Sequence, residues 1–211
     1  MQVNMSEEKA EINPSESTLY SLFCRAAENK GQAVFFADEY EKCSGEESLE
    51  KVTCLAGGLL ALGVNQGDRV AFICGSSVRH ILFYFACQHI GAIPCALHLR
   101  NTAAGISKTL KWLDASLLVI DKKYREIAHA GLADENTNIP LVILDGAHID
   151  EEEIGYRELC EHSDPADLSV ELDPDAPAKI ILSSGTTGEP KGVVHSQRTL
   201  YESAMAGTEV F

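Results

Sequence analysis

Apolar residues in this chain come in short packets, and the spacing inside each packet predicts an element. Leu19, Leu22, Phe23 and Ala26 recur at helical spacing from Thr18 onward, and residues 33–37 form a short strand candidate. Ser44 with Glu47 three positions later has the arrangement of a capping box, predicting a helix to about Leu62. Its buried stripe would be Leu49, Val52, Ala56, Leu59 and Leu60; Gly57 and Gly58 would allow close approach, and Gly63 would end it. The run from Val70 to Ile73 reads as a strand, Val78, Ile81, Leu82 and Phe85 as a helix face stopping near Gly91, and residues 92–97 as a second strand. Strand, helix, strand in this order is a βαβ unit, which favours a parallel sheet with right-handed crossovers.

The alternation continues. A helix with Ile106, Leu110 and either Trp112 or Leu113 inward is followed by two continuous apolar runs, residues 116–120 and 141–144, that read as buried strands around a helical stretch over 122–133. Between residues 146 and 175 the pattern dissolves. Asp150, Glu151, Glu152 and Glu153 are consecutive, which predicts a solvated face, because metal ligands must converge from separate points. Residues 158–175 read as a short helix and a connector, with Pro174 and Pro177 marking its end. The fold class is therefore α/β, a mostly parallel sheet flanked by helices.

Residues 179–194 change the picture. A buried-strand pattern, Lys179 to Leu182, breaks into Ser183, Ser184, Gly185, Thr186, Thr187, Gly188, Glu189, Pro190 and Lys191, then resumes at Gly192 to Val194. Strand, polar loop and strand would follow, with a helix after His195. Gly185 and Gly188 can take positive φ and bring backbone N–H groups up to an anion. The four hydroxyls add donors, Lys191 adds a point charge, and Pro190 stiffens the approach. Taken alone, a cluster of Gly, Ser and Thr between apolar runs is also what a hairpin turn looks like. Neither GxxxxGK[ST] nor GxGxxG fits it: the spacing from Gly185 to Lys191 differs, and Gly192 stands where a magnesium-binding hydroxyl would be needed.

Composition narrows the function classes. A formal charge of −15, from 17 basic and 32 acidic residues, argues against non-specific attraction to DNA, RNA or anionic lipid. The 7 cysteines are odd in number and lack a CxxC pair, as in a reducing compartment, and the 7 histidines have no zinc-ligand spacing. No GxSxG elbow marks a nucleophilic serine. No run approaches a membrane-spanning length, and the polar, acidic residues 1–16 read as a flexible tail and not a signal or transit peptide, so a cytoplasmic location is expected.

Ser183 to Gly192, SSGTTGEPKG, resembles the nucleotide loop of the adenylate-forming superfamily: acyl-CoA synthetases, aryl-CoA ligases, beetle luciferase and the adenylation domains of peptide synthetases. Leu59 to Val70, with its Gly67-Asp68-Arg69-Val70 strand start, and the Gly91-Ala92-Ile93-Pro94 turn are similar to the family's upstream segment. The resemblance implies that residues 17–211 are the first part of the large N-terminal domain. It also implies that a carboxylic acid, expected to be a fatty or other acyl acid, reacts with MgATP to give an acyl-adenylate, which a thiol such as coenzyme A then captures. On it, Ser183, Ser184, Gly185, Thr186, Thr187, Gly188 and Lys191 hold the ATP phosphates. A structural role is expected for His195, although some acyl-CoA synthetases carry His there. Family members are more than twice as long, so no catalytic residue is expected here: the adenylation lysine belongs to a small C-terminal domain outside this sequence. The alternatives left open are a truncated, non-catalytic nucleotide-binding paralogue, or one half of a split enzyme completed by a partner chain.

Overall fold

A computed structural model describes residues 17–133, 139–146, 153–161, 172–183 and 191–208. Its first helix, α1 (Leu19–Lys30), starts on a capping box in which Ser21 N–H donates to the Thr18 hydroxyl at 3.1 Å. The helix turns Phe23 and Ala27 inward, while Ala26, expected on that face, is exposed. Strands β1 (Val34–Ala37) and β2 (Lys42–Ser44) form a small antiparallel ribbon. Helix α2 (Gly45–Ala61) then begins on the predicted Ser44–Glu47 capping box, with both reciprocal hydrogen bonds made.

The main sheet has the order β7-β6-β5-β3-β4-β8-β9. Strands β3 (Arg69–Ile73), β4 (Ile93–Ala96), β5 (Ala115–Ile120), β6 (Leu141–Ile143) and β7 (Glu153–Gly155) are parallel to their neighbours. Strand β8 (Pro177–Ser183) joins β4 in parallel, and β9 (Lys191–Ser196) returns antiparallel to β8. Alternate residues of β3 and β5 feed two cores, one on each side of the sheet. Val70, Phe72, Leu117 and Val119 meet α1, α2 and helix α3 (Val78–Ile90). Ala71, Ile73, Leu118 and Ile120 meet helices α4 (Ala103–Leu113) and α5 (Arg125–Leu132). A strand covered on both faces must be apolar at every position, which is why these strands read as unbroken hydrophobic runs.

Helix ends follow local chemistry. Ser77 and Thr102 accept from the N–H groups of His80 and Gly105 and start α3 and α4. Gly91 ends α3 in the left-handed region at φ 71°, where a side chain would be strained. Gly58 lets helix α6 (Tyr156–Glu161) approach: a Cβ there would stand 2.6 Å from Leu159 Cγ. Of the two candidates on α4, Leu113 is buried and Trp112 is 48% exposed.

In the acidic stretch Asp150, Glu151 and Glu152 lie outside the described residues, and Glu153 departs from the sequence reading. Glu153, expected on a solvated face, lies in β7 with its side chain fully buried. Its Oε1 accepts from Arg125 Nε and lies 2.6 Å from His129 Nε2. A buried carboxylate needs such partners, and these come from α5, more than twenty residues upstream, where no local pattern announces them. The helix expected from residue 158 starts at Tyr156, and the 122–133 helix opens as a 3-10 turn at Lys122–Tyr124.

Candidate nucleotide-loop site

Parallel strands place their carboxyl ends on one edge, and in open α/β sheets ligands bind outside that edge. Two positions compete there. Between β3 and β5 the Gly75 N–H donates to Asp121 Oδ2 at 2.7 Å, with Lys123 Nζ 3.7 Å from the same oxygen. Asp121 is 8% exposed, so a carboxylate already occupies that crevice and repels a phosphate.

The second position is the neck of the β8–β9 hairpin. Strand β8 runs parallel to β4, so its last residue, Ser183, stands on the same carboxyl edge. Ser183 is in register with Lys191, the first residue of β9, and its Oγ lies 3.5 Å from the Lys191 carbonyl oxygen. Both are exposed. The predicted phosphate-binding residues between them, Ser184, Gly185, Thr186, Thr187 and Gly188, lie outside the described residues. Of the expected set, the structure therefore locates Ser183 and Lys191, and brings them together.

The hairpin's two faces differ. Ile180 and Leu182 pack toward the α4–α5 core. Gly192 carries Trp112 above it: a Cβ there would stand 3.0 Å from the indole and 3.0 Å from Ile180 Cγ2. On the α3 side a cavity of about 410 Å³ opens beside β8, walled by Phe72, His80, Tyr84, Pro94, Ala96 and Lys179. Lys179 Nζ sits 5.5 Å over the Tyr84 ring, and burial pushes the Tyr84 phenol well up, so its hydroxyl stays protonated. His80 stacks on Phe72 with its Nδ1 3.0 Å from the Gly75 carbonyl oxygen.

Helix α7 (Gln197–Thr208) follows the hairpin directly. The Arg198 guanidinium pairs with Asp175 at 2.9 Å and, by that hydrogen bond, holds the carboxyl below its usual range. His195 is half-buried in β9, in register with Lys179. Among the described residues no group of three or more His, Cys, Asp or Glu could hold a metal ion. Among the described residues no helix is long and apolar enough to cross a membrane.

The profile of the family described as AMP-binding enzyme matches residues 23–210. The chain belongs to this family. Among its relatives, a 2-hydroxy-7-methoxy-5-methyl-1-naphthoate–CoA ligase of Streptomyces carzinostaticus is 29% identical over 195 residues, which is 87% of this chain and 35% of that protein. A long-chain-fatty-acid–CoA ligase of Thermus thermophilus is 31% identical over 173 residues, 82% of this chain and 31% of that protein. The AMP-binding chain thus spans about a third of the length of these curated relatives. In fold it matches the crystal structure of a benzoate CoA ligase from Burkholderia xenovorans, with a TM-score of 0.78, 19% identity, and 89% of this chain against 36% of that one.

Sequence reasoning missed the contacts that other elements make with the hairpin: Trp112 over Gly192, the Tyr84 ring under Lys179, and the buried amides of Gln88 and Gln197. A glutamine inside an otherwise apolar helix face was the available signal.

Proposed function

We propose that this chain is the part of an adenylate-forming acid–thiol ligase that binds the phosphates of MgATP. The supporting observation is the pairing of Ser183 with Lys191 on the carboxyl edge of the sheet, at the ends of a loop rich in hydroxyls and glycine. In that setting loop N–H groups, hydroxyls and the Lys191 ammonium hold the β- and γ-phosphates of ATP. An oxygen of the acid's carboxylate bonds to the α-phosphorus, the bond to the bridging oxygen breaks, and pyrophosphate leaves with the electron pair. The thiol of coenzyme A then attacks the acyl carbonyl and AMP departs. The carboxylate is itself the nucleophile, so the protein's work is positioning and charge stabilisation. Magnesium enters with ATP, screening the phosphate charge.

The acid is an acyl or aryl carboxylic acid, the class named by the relatives, in a cytoplasmic setting. The 211 residues, which span about a third of the length of the relatives they match, are expected to bind MgATP without completing adenylation on their own. Calorimetric titration of the chain with MgATP tests the reading. Lys191→Ala should weaken binding by about 1.5–3 kcal/mol, the range for a hydrogen bond to a charged group. Equal affinity in the two proteins would remove Lys191 from the site, and acyl-CoA formation by the pure chain would refute the expected lack of turnover.

A further inference from the structure

The β8–β9 hairpin is weakly attached to the sheet that carries it. Among the described residues β8 is in register with β4 only through Cys95 with Ile180 and Ala96 with Ile181, and β9 pairs only with β8. A second attachment comes from α3. Gln88, fully buried, donates from Nε2 to the Ala178 carbonyl oxygen at 2.7 Å, at the start of β8. Its Oε1 accepts from Gln197 Nε2 at 3.2 Å, at the first residue of α7, where β9 ends. One side chain therefore ties both legs of the hairpin, at their base, to a helix of the rigid core.

Stability alone does not account for this pair. Gln197 is 1% exposed and its Oε1 has no hydrogen-bond partner among the described residues. A buried acceptor left unpaired works against folding, and two apolar side chains of similar shape would avoid that cost. What the amides add is direction, because hydrogen bonds fix where Ala178 and Gln197 sit relative to α3. Ala178 lies five residues before Ser183, about 16 Å along a strand, so a small rotation at the base becomes a larger displacement at Ser183.

We propose that Gln88 is a positioning residue which, through Ala178 and Gln197, sets the tilt of strands β8 and β9 and so the placement of Ser183 and Lys191 at their far ends. The consequence for nucleotide rests on the function proposed above; the consequence for the hairpin does not.

The test uses the full 211-residue chain and two readouts: amide hydrogen exchange, and MgATP affinity measured below the unfolding transition. Gln88→Met keeps side-chain volume and removes both hydrogen bonds. It should raise exchange in β8 and β9 but not in β5, and weaken MgATP by about tenfold, the effect of one ordinary hydrogen bond's worth of misplacement. Gln88→Met with Gln197→Met removes the stranded amide of α7. Its Tm should return toward the wild-type value while hairpin exchange and MgATP affinity stay impaired, which a merely structural role would not produce. If Gln88→Met does not fold, Gln197→Met cuts only the α7 leg and should raise exchange in β9 alone. Unchanged hairpin exchange in the variant that folds, or recovery of exchange and affinity together with Tm in the double variant, overturns the proposal. If wild-type chain does not bind MgATP but exchange still rises only in the hairpin, the phosphate reading falls and the positioning role stands.

Discussion

Strands β3 and β5 and the hairpin β8–β9 belong to one sheet and obey opposite rules. From Leu117 to Ile120 every side chain of β5 is completely buried, whereas Ile181, Val193 and Val194 in the hairpin are 45%, 54% and 57% exposed. The first region is held by packing on two faces. The second is held by a short ladder, a tryptophan laid over a glycine, and a buried pair of amides. The difference teaches where stability resides: the centre of the sheet fixes the frame, and the hairpin exposes Ser183 and Lys191 to solvent at its carboxyl edge.

Substitutions can break that contrast from either end. Leu118→Ala, in the centre, removes a fully buried side chain and should cost about 2–5 kcal/mol in denaturant unfolding. A loss below about 1 kcal/mol would mean that the double-sided core is not the frame. Gly58→Ala should cost about 1–3 kcal/mol by overpacking, because the new methyl meets Leu159, and it should leave the hairpin's hydrogen exchange unchanged. Val193→Thr, on the hairpin, should move stability by no more than about 0.5 kcal/mol, since the residue is already half in water.

The smallest effect concerns pH. Asp38 accepts from the backbone N–H groups of Val78, Glu41 and Tyr40, each at 2.8 Å, and these bonds, that from Val78 foremost, hold its carboxyl below the usual range. A folded-state pKa below the unfolded value of about 3.9 contributes stability that is present above that value and lost as pH falls through the folded one. Asp38→Asn should therefore lower Tm near neutrality and converge with wild type as the pH drops below about 4. A Tm difference that stays constant down to acid would show that the carboxylate's charge is not what anchors α3 to the β1–β2 ribbon.

The frame was legible because its causes are local. The Ser44–Glu47 capping box, the left-handed Gly91 and the unbroken apolar run of β5 each declare themselves within a few residues. Strand β7 was not legible: Glu153 looks like part of a solvated acidic run until Arg125 and His129 are brought to it by α5. The loop's hydroxyls, glycines and lysine lie together in the chain, and of them the structure describes only the two ends, Ser183 and Lys191, in register with each other. The hairpin's supports were not legible, because Trp112, Gln88 and Gln197 reach it from other elements. Local pattern reports what an element is made of, and long-range contacts decide how a working edge is held.

The central claim is that the hairpin loop is a polyphosphate site mounted on a frame that does not take part in binding. Amide NMR of the uniformly labelled chain, titrated with MgATP, addresses both halves at once. The account predicts saturable shifts concentrated in residues 183–192 and the Trp112 indole N–H, with β5, β6 and β7 unmoved. Shifts centred on Gly75 and Asp121 at the β3–β5 crevice, or no shifts at all, would contradict it.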